Sequence, residues 1–163
     1  MEQNTRAVLP HYLWWLIACL AIGVIAAAAY KVYRQSAPPP GEQRVALDPT
    51  CDLHSGPCTL SGPDGVAVTL DVSPRPIPLI QTLTLSVQVE GTPVSVVSVD
   101  FAGVDMDMGF NRFLLQARGA GQFNGTGMLP ICTRSRMTWE ARVLLQHEGK
   151  ILIFPFRFDT LGR

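Results

Sequence analysis

Two methionines one residue apart are the first residues in this sequence that could do chemistry. Met106 and Met108 lie in the stretch VDMDMGFNRF, just before Gly109. In an extended segment, side chains two residues apart project from the same face, so the roots of these two would lie about 6.5–7 Å apart. Methionine is flexible, and soft thioether and thiolate ligands select Cu(I). The spacing therefore indicates a candidate Cu(I) site.

Three further residues could complete such a site. Met128 and Cys132 lie close together in MLPICTRSRM, and His54 lies in CDLHSGPC. Because two or three sulfur ligands hold a soft ion well, any one of the three could supply a third ligand beside the methionine pair. Met137 adds one more soft group to this part of the sequence.

The alternative is that both methionines are packing residues. Methionine commonly fills irregular gaps in a core, and Asp105 and Asp107 would then face water. These aspartates and the glycine that follows them interrupt the alternation that would bury both thioethers. We therefore expect a strand-ending loop over 104–110, with at least one of Met106 and Met108 partly exposed to solvent.

Three of the four cysteines, Cys51, Cys58 and Cys132, lie in the C-terminal part of the chain. Outside the cytoplasm, cysteines in a small domain form disulfides, so we expect one intramolecular bridge that uses two of these three. The sequence leaves all three pairings open. The remaining cysteine would be a free thiol, a bridge to another molecule or a metal ligand. A zinc site is not expected, because no CxxC spacing occurs.

An uncharged apolar run lies near the N-terminus. Residues 12–30 read YLWWLIACLAIGVIAAAAY, and at about 1.5 Å per residue they just cover a hydrocarbon core of about 30 Å. Tyrosine and tryptophan mark its ends, as at membrane interfaces. The pattern predicts a short tail over 1–11 and one transmembrane helix over 12–30. A cleaved signal peptide and a buried soluble helix are the alternatives, but the run is long for the first and lacks a polar face for the second.

Flanking charges and cysteines disagree about the orientation of this helix. Lys31, Arg34 and Arg44 follow the span and only Arg6 precedes it, which favours a cytoplasmic C-terminal part. The three cysteines after the span favour an oxidising compartment, and long C-terminal domains translocate largely regardless of flanking charge. We expect the C-terminal part to lie outside the cytoplasm.

The rest of the chain predicts a linker and one β domain. Residues 31–47 contain QSAPPPGEQ, and three successive prolines favour an extended spacer. Within 48–163, apolar and polar residues alternate in segments such as Thr82–Glu90 and Met137–Leu145, the period of a half-buried strand. About seven such segments are typical of an antiparallel immunoglobulin-like sandwich, with a small barrel as the alternative architecture.

Two local features refine this picture. Pro155 lies inside the last apolar segment, Leu152–Phe158, and predicts an edge or a bulge there because proline cannot donate to a ladder. Residues 113–129 predict a hairpin that turns around Gly119, Ala120 and Gly121.

Composition and motifs exclude two classes of function. Thirteen basic and 13 acidic side chains give a net charge of zero, so the chain lacks the basic surface with which proteins displace counterions from nucleic acid. The sequence contains no G-x-S-x-G, no glycine-rich phosphate loop and no apparent nucleophile-base pair. We expect neither a nucleic-acid-binding protein nor an enzyme.

The order of the motifs resembles a known family. An N-terminal anchor is followed by CDLHSGPC, by PRPIP at Pro74–Pro78, by VDMDMGFNRF and by MLPICTRSRMTW. This arrangement, which spans most of the chain, is similar to membrane-anchored periplasmic proteins of Gram-negative bacteria associated with Sco-type copper and cytochrome oxidase assembly. The plan of one anchor and a small β domain with an M-x-M-G turn also resembles the FixH and YtkA-like group, although the His-Met clusters of periplasmic copper carriers are absent.

The resemblance implies a single-pass protein of the bacterial inner membrane, with a periplasmic C-terminal domain and an accessory role in copper handling or respiratory-complex assembly. Its cofactor would be Cu(I). The alternative is a metal-free, membrane-tethered interaction module of the envelope, which binds a protein partner through an exposed edge or loop. Burial of both Met106 and Met108 among apolar side chains would favour the second function.

Overall fold

The computed structural model of the protein describes residues 11–36, 41–131, 135–147 and 149–162. The chain forms two compact units, Met1–Pro40 and Gly41–Arg163. The first contains helix α1, His11–Ser36, whose segment His11–Tyr33 is long and apolar enough to cross a membrane.

Helix α1 is longer than the 12–30 span expected from hydropathy. It continues through residues 31–36, which we assigned to the linker, and ends before the three prolines at 38–40. This end is physically reasonable, because proline has no N–H and disfavours helical geometry in the residue before it. The apolar run alone marks the part of the helix that would lie in lipid.

The second unit consists of two five-stranded sheets. In the first sheet the strand order is β1-β10-β9-β5-β6, and in the second it is β2-β3-β4-β8-β7. All pairs are antiparallel except β1 with β10. The strands are β1 (Glu42–Arg44), β2 (Cys58–Ser61), β3 (Ala67–Ser73), β4 (Thr82–Glu90), β5 (Val97–Gly103), β6 (Arg112–Leu114), β7 (Gln116–Gly119), β8 (Gln122–Met128), β9 (Arg136–His147) and β10 (Lys150–Leu161).

Alternating side chains from both sheets share one hydrophobic core. In β4, every second residue from Leu83 to Val89 is buried, and the residues between them face outward. Trp139, Phe101 and Phe156 are completely buried in the same core. The polar atom of the tryptophan is satisfied, because its indole N–H donates to the Thr160 hydroxyl at 2.9 Å.

The strand count differs from the sequence prediction. The described residues form ten strands instead of about seven. The strands that we missed are β1, β2 and β6, which have three or four residues each and are too short to show a period of two. The hairpin of β7 and β8 turns at residues 120 and 121, as predicted.

Strand β10 is open on one side over half its length. It pairs with β9 from Lys150 to Leu161, but β1 pairs with it only at Ile151–Ile153. Pro155 therefore lies just beyond the residues that pair with β1, and among the described strands it pairs with β9 alone. The prediction of an edge strand or a bulge at Pro155 is wrong, because β10 is second in its sheet and pairs with β9 in unbroken register. The proline is tolerated because its side of β10 lies beyond the residues that pair with β1.

One carboxylate is buried on the outer face of the first sheet. Glu140 is 2% exposed, and its oxygens accept from Arg44 at 2.6 Å, Arg142 at 2.8 Å and Arg157 at 3.2 Å. Burial alone would raise the pKa of this carboxyl, but the three arginines outweigh burial and hold the pKa below its ordinary value. The cluster joins β1, β9 and β10, and so helps to fix the short strand β1.

We expect Glu140→Gln to lower the free energy of unfolding by on the order of 1–3 kcal/mol near neutral pH, after allowance for the half-exposed arginines. Because the pKa of Glu140 is lower in the folded state, the contribution of its carboxylate to stability is complete above the unfolded pKa of 4.5. That contribution is lost as the pH falls through the folded pKa. The difference between parent and variant should therefore shrink in acid. Urea denaturation of the full-length chain in detergent, at about pH 7 and about pH 3, measures both effects.

Glu90→Gln, at an exposed position at the end of β4, is the matched control and should change stability little at either pH. Equal stability of the parent and Glu140→Gln near neutral pH, or a difference that grows in acid, would contradict this account of Glu140.

Candidate functional site

Several connections meet at one end of the β domain, which we call the loop end. The strand register places the end of β8 beside the start of β4, and the end of β10 beside the start of β9. The connections at this end are residues 74–81, which precede β4, residues 104–111, which follow β5, and the disulfide loop 51–58, which leads into β2. Loops at one end of a rigid pair of sheets are a common place for binding residues.

A groove of about 910 Å³ lies at the loop end. One wall is the segment 76–81, which continues from the PRPIP motif, and the other is the end of β10 at 159–161. His54 and Ile131 complete the lining, together with Arg136. The volume is near the upper end of the range that holds small ligands, about 300–1,000 Å³.

Three large apolar side chains of this groove face solvent. Ile80 is 57% exposed, Ile131 is 69% exposed and Leu161 is 77% exposed. Single exposed apolar residues are common, but three that line one concave surface are a feature of binding sites. The groove therefore presents apolar surface that a partner could bury.

His54 connects the two walls of the groove. The backbone N–H of Ile77 can only donate, so Nδ1 of His54, at 3.3 Å, must accept. The proton is then on Nε2, which donates to the carbonyl oxygen of Asp159 at 2.7 Å. The ring also packs edge to face against Phe158, with centroids 6.0 Å apart. Neutral His54 thus holds the 76–81 segment against the end of β10.

A disulfide and a hydrogen bond from Arg75 hold the loop that carries His54. A disulfide joins Cys51 and Cys58 at its base, which is one of the three pairings left open by the sequence. The guanidinium of Arg75 donates to the carbonyl oxygen of Leu53 at 2.9 Å. Within the loop, Asp52 accepts from the Ser55 hydroxyl and from a backbone N–H, and these bonds lower its pKa. His54 is therefore held by a rigid loop.

An ion pair lies at the rim of the groove. Arg136 binds the carboxylate of Asp159, which also accepts from the Thr138 hydroxyl at 2.7 Å. The hydrogen bond from Arg136, followed by that from Thr138, lowers the pKa of Asp159. These two opposite charges cancel within the described lining of the groove.

The methionine pair lies on a separate loop of the same domain. Strand β5 ends at Gly103, and the following residues are irregular, as the sequence predicts for 104–110. Met106 is 36% exposed, while Met108 is partly buried against the core. At least one of the two methionines is therefore partly exposed to solvent, as expected.

Met108 packs with Met137 in the space left by Gly103. A Cβ placed on Gly103 would lie 3.1 Å from Cγ of Met108 and 2.5 Å from Cε of Met137. Met137 itself is 3% exposed, so its role is packing. Met128 is 44% exposed at the end of β8, and its carbonyl oxygen accepts from the Asn111 amide at 3.2 Å.

His54 and the two cysteines of its loop form other bonds. Cys51 and Cys58 are joined in a disulfide, and both ring nitrogens of His54 are engaged in hydrogen bonds. Cys132 lies outside the described residues. Among the residues that the structure describes, no group of three or more His, Cys, Asp or Glu side chains could hold a metal ion.

Sequence reasoning missed the groove. The PRPIP motif contributes only to the resemblance, and no sequence pattern assigns a function to Ile80, Ile131 or Leu161. A signal was present, because Ile80 and Ile131 are large apolar residues that follow prolines outside any alternating segment. Such residues have no place in a regular strand face, and their exposure could have been proposed.

Comparison with protein-family models, with curated proteins and with solved structures finds no match to this chain. The resemblance to the Gram-negative copper-assembly group therefore stays a prediction. The function is therefore inferred from the groove at the loop end and from its exposed apolar side chains.

We expect His54→Leu to lower the free energy of unfolding by about 1–3 kcal/mol, because the N–H of buried Ile77 and the carbonyl of Asp159 both lose their partner. The amide of Ile77 should also exchange with solvent faster. Urea denaturation and hydrogen exchange of the full-length chain measure these changes.

His147→Leu provides the comparison, since Nδ1 of His147 contacts the Thr92 hydroxyl at 3.1 Å, far along β9 from the groove. It should leave the exchange of Ile77 unchanged. Unaltered stability and unaltered Ile77 exchange in His54→Leu would show that His54 does not hold the groove walls together.

Proposed function

We propose that the protein is a membrane-anchored interaction module of the bacterial envelope, whose β domain binds a partner polypeptide in the groove at the loop end. The observation that carries this proposal is the exposure of Ile80, Ile131 and Leu161 along one groove whose walls are fixed by His54. A rigid apolar groove loses little conformational entropy when a ligand enters it.

The chemistry of the groove supports binding without catalysis. The lone pair on Nδ1 of His54 accepts a backbone hydrogen bond, so this nitrogen is not available as a general base. The carboxylate of Asp159 is paired with Arg136 and has a lowered pKa, which makes it a weak base. Apolar contact is what the groove offers to a ligand.

We propose that the protein is anchored in a membrane and that its β domain lies in an oxidising compartment. An apolar helix of membrane-spanning length supports a single-pass anchor, and the Cys51–Cys58 disulfide supports an oxidising compartment for the β domain. We propose the inner membrane for the anchor and the periplasm for the domain. The partner would then be another protein of the envelope.

We also propose that the two sheets stack as an immunoglobulin-like sandwich. Antiparallel pairing, alternating burial and one shared core support this architecture. The parallel pair of β1 and β10 and the five strands in each sheet would make it a variant of the seven-stranded form.

Site-specific photocrosslinking in native membranes tests the partner proposal. A photoreactive phenylalanine analogue at Ile131 or Leu161 of the full-length chain should give adducts of discrete size, because these side chains would be buried in the complex. The same analogue at Thr59, an exposed position of β2, is the matched control and should give none.

A second substitution tests whether the crosslinks depend on the apolar surface of the groove. Ile80→Asp places a charge in the groove, and it should reduce the adducts from Leu161 by about tenfold or more. Adducts of equal yield from Thr59, or no adducts from either groove position, would contradict a binding groove at the loop end.

Copper handling is the second candidate function, which we propose because Met106 is accessible on the loop beside Met108 and Met137. Replacement of both Met106 and Met108 by leucine keeps the side-chain volume, so stability should fall by less than about 1.5 kcal/mol per site. A copper site predicts that the reduced full-length parent binds Cu(I) in a chelator competition and that the folded double variant does not. Retained binding by the variant, or none by the parent, would remove this function.

A further inference from the structure

The end of β10 turns backbone hydrogen-bonding groups toward the groove. The carbonyl oxygen of Thr138 accepts from the N–H of Val104 at 3.0 Å, so the backbone groups of Thr138 face β5. In the antiparallel register Asp159 lies opposite Thr138, and its own backbone groups therefore point away from β9. The hydrogen bond from His54 to the Asp159 carbonyl, at 2.7 Å, shows the same direction.

The same side of β10 is covered by β1 only near its start. The carbonyl of Ile153 accepts from the N–H of Val45 at 2.9 Å, which is the last backbone hydrogen bond on that side toward the N-terminal segment. Residues at two-residue steps share this direction, so Pro155 and Leu161 also turn their backbone groups away from β9. Gly162 faces the other way, since its N–H donates to the carbonyl of Ser135 at 2.8 Å.

The groove lies on this outward side. His54 lines the groove and occupies the carbonyl of Asp159, so the groove is next to the outward groups of the strand end. Beside the groove, the outward groups without a hydrogen-bond partner among the described residues are the N–H of Asp159 and both backbone groups of Leu161. A backbone that presents donors and acceptors at two-residue steps is complementary to an extended chain.

We propose that the partner enters the groove as an extended segment and adds a strand beside residues 159–161 of β10. This inference rests on the proposed function and specifies its ligand: an uncharged segment with large apolar side chains at alternate positions. The period of two puts those side chains on one face, toward Ile80 and Ile131. Among the described residues that line the groove, Arg136 and Asp159 form a neutral pair, which favours a neutral segment.

Pro155 suggests a substitution that tests the added strand. Pro155 occupies an outward position of β10, so this strand accepts a residue without an N–H at such a position. Leu161→Pro would remove one outward donor, keep an apolar side chain and leave the ladder with β9 intact. Leu161→Met keeps the donor and is the matched control.

The experiment uses full-length protein in lipid nanodiscs and a panel of fluorescein-labelled hexapeptides. Each peptide has valine, isoleucine or leucine at alternate positions and serine between them, and fluorescence anisotropy measures its affinity. We expect at least one peptide to bind. N-methylation of alternate backbone amides should weaken that peptide by about tenfold, whereas methylation of the intervening amides should have little effect. Leu161→Pro should weaken it by a similar factor, and Leu161→Met should not.

The N-methylated peptides need no change in the protein, so they decide the question even if Leu161→Pro folds poorly. In another outcome, a peptide binds in a way that Ile131→Asp abolishes, while N-methylation has no effect or weakens binding equally at all amides. That result would overturn the added strand but leave the binding groove in place. No binding by any peptide of the panel would also overturn this inference. In that case the crosslinks from Ile131 and Leu161 in native membranes decide separately whether the proposed function stands.

Discussion

The loop end depends on one side chain that makes two hydrogen bonds. His54 accepts from the N–H of Ile77 and donates to the carbonyl of Asp159, so it ties a loop of the second sheet to the last strand of the first. Both bonds require one neutral tautomer, with the proton on Nε2. The Cys51–Cys58 disulfide and the bond from Arg75 to Leu53 keep the histidine in place. The width of the groove follows from these contacts.

The same histidine protects an edge that would otherwise be open. Strand β10 extends well past β1, and exposed strand edges favour unwanted pairing between chains. Pro155 removes one donor from this edge, and His54 occupies the carbonyl of Asp159. The outward backbone groups of Arg157 are not covered by β1, whereas those of Asp159 and Leu161 lie beside the groove. Pairing at the groove would require a partner that also fits the apolar walls.

The sequence was informative where one period repeats over many residues. Strand β4 has the predicted bounds, Thr82–Glu90, because one of its faces is buried along its whole length. The short strands β1 and β2 could not be predicted, since they exist through pairing with distant strands. The groove was missed for the same reason: it is built by loops that are distant in sequence. The packing of Met108 depends on the space above Gly103, which no spacing rule describes.

Hydrogen exchange in native membranes, compared with the purified full-length protein in nanodiscs, tests most directly whether the groove is a binding site. Amides in 76–81 and 159–162 should exchange more slowly in native membranes, because a bound partner covers them. Amides of the β7–β8 turn at 120 and 121, which do not line the groove, should exchange equally in both samples. Equal exchange of the groove segments in the two samples would contradict the proposal that the groove at the loop end holds a partner polypeptide.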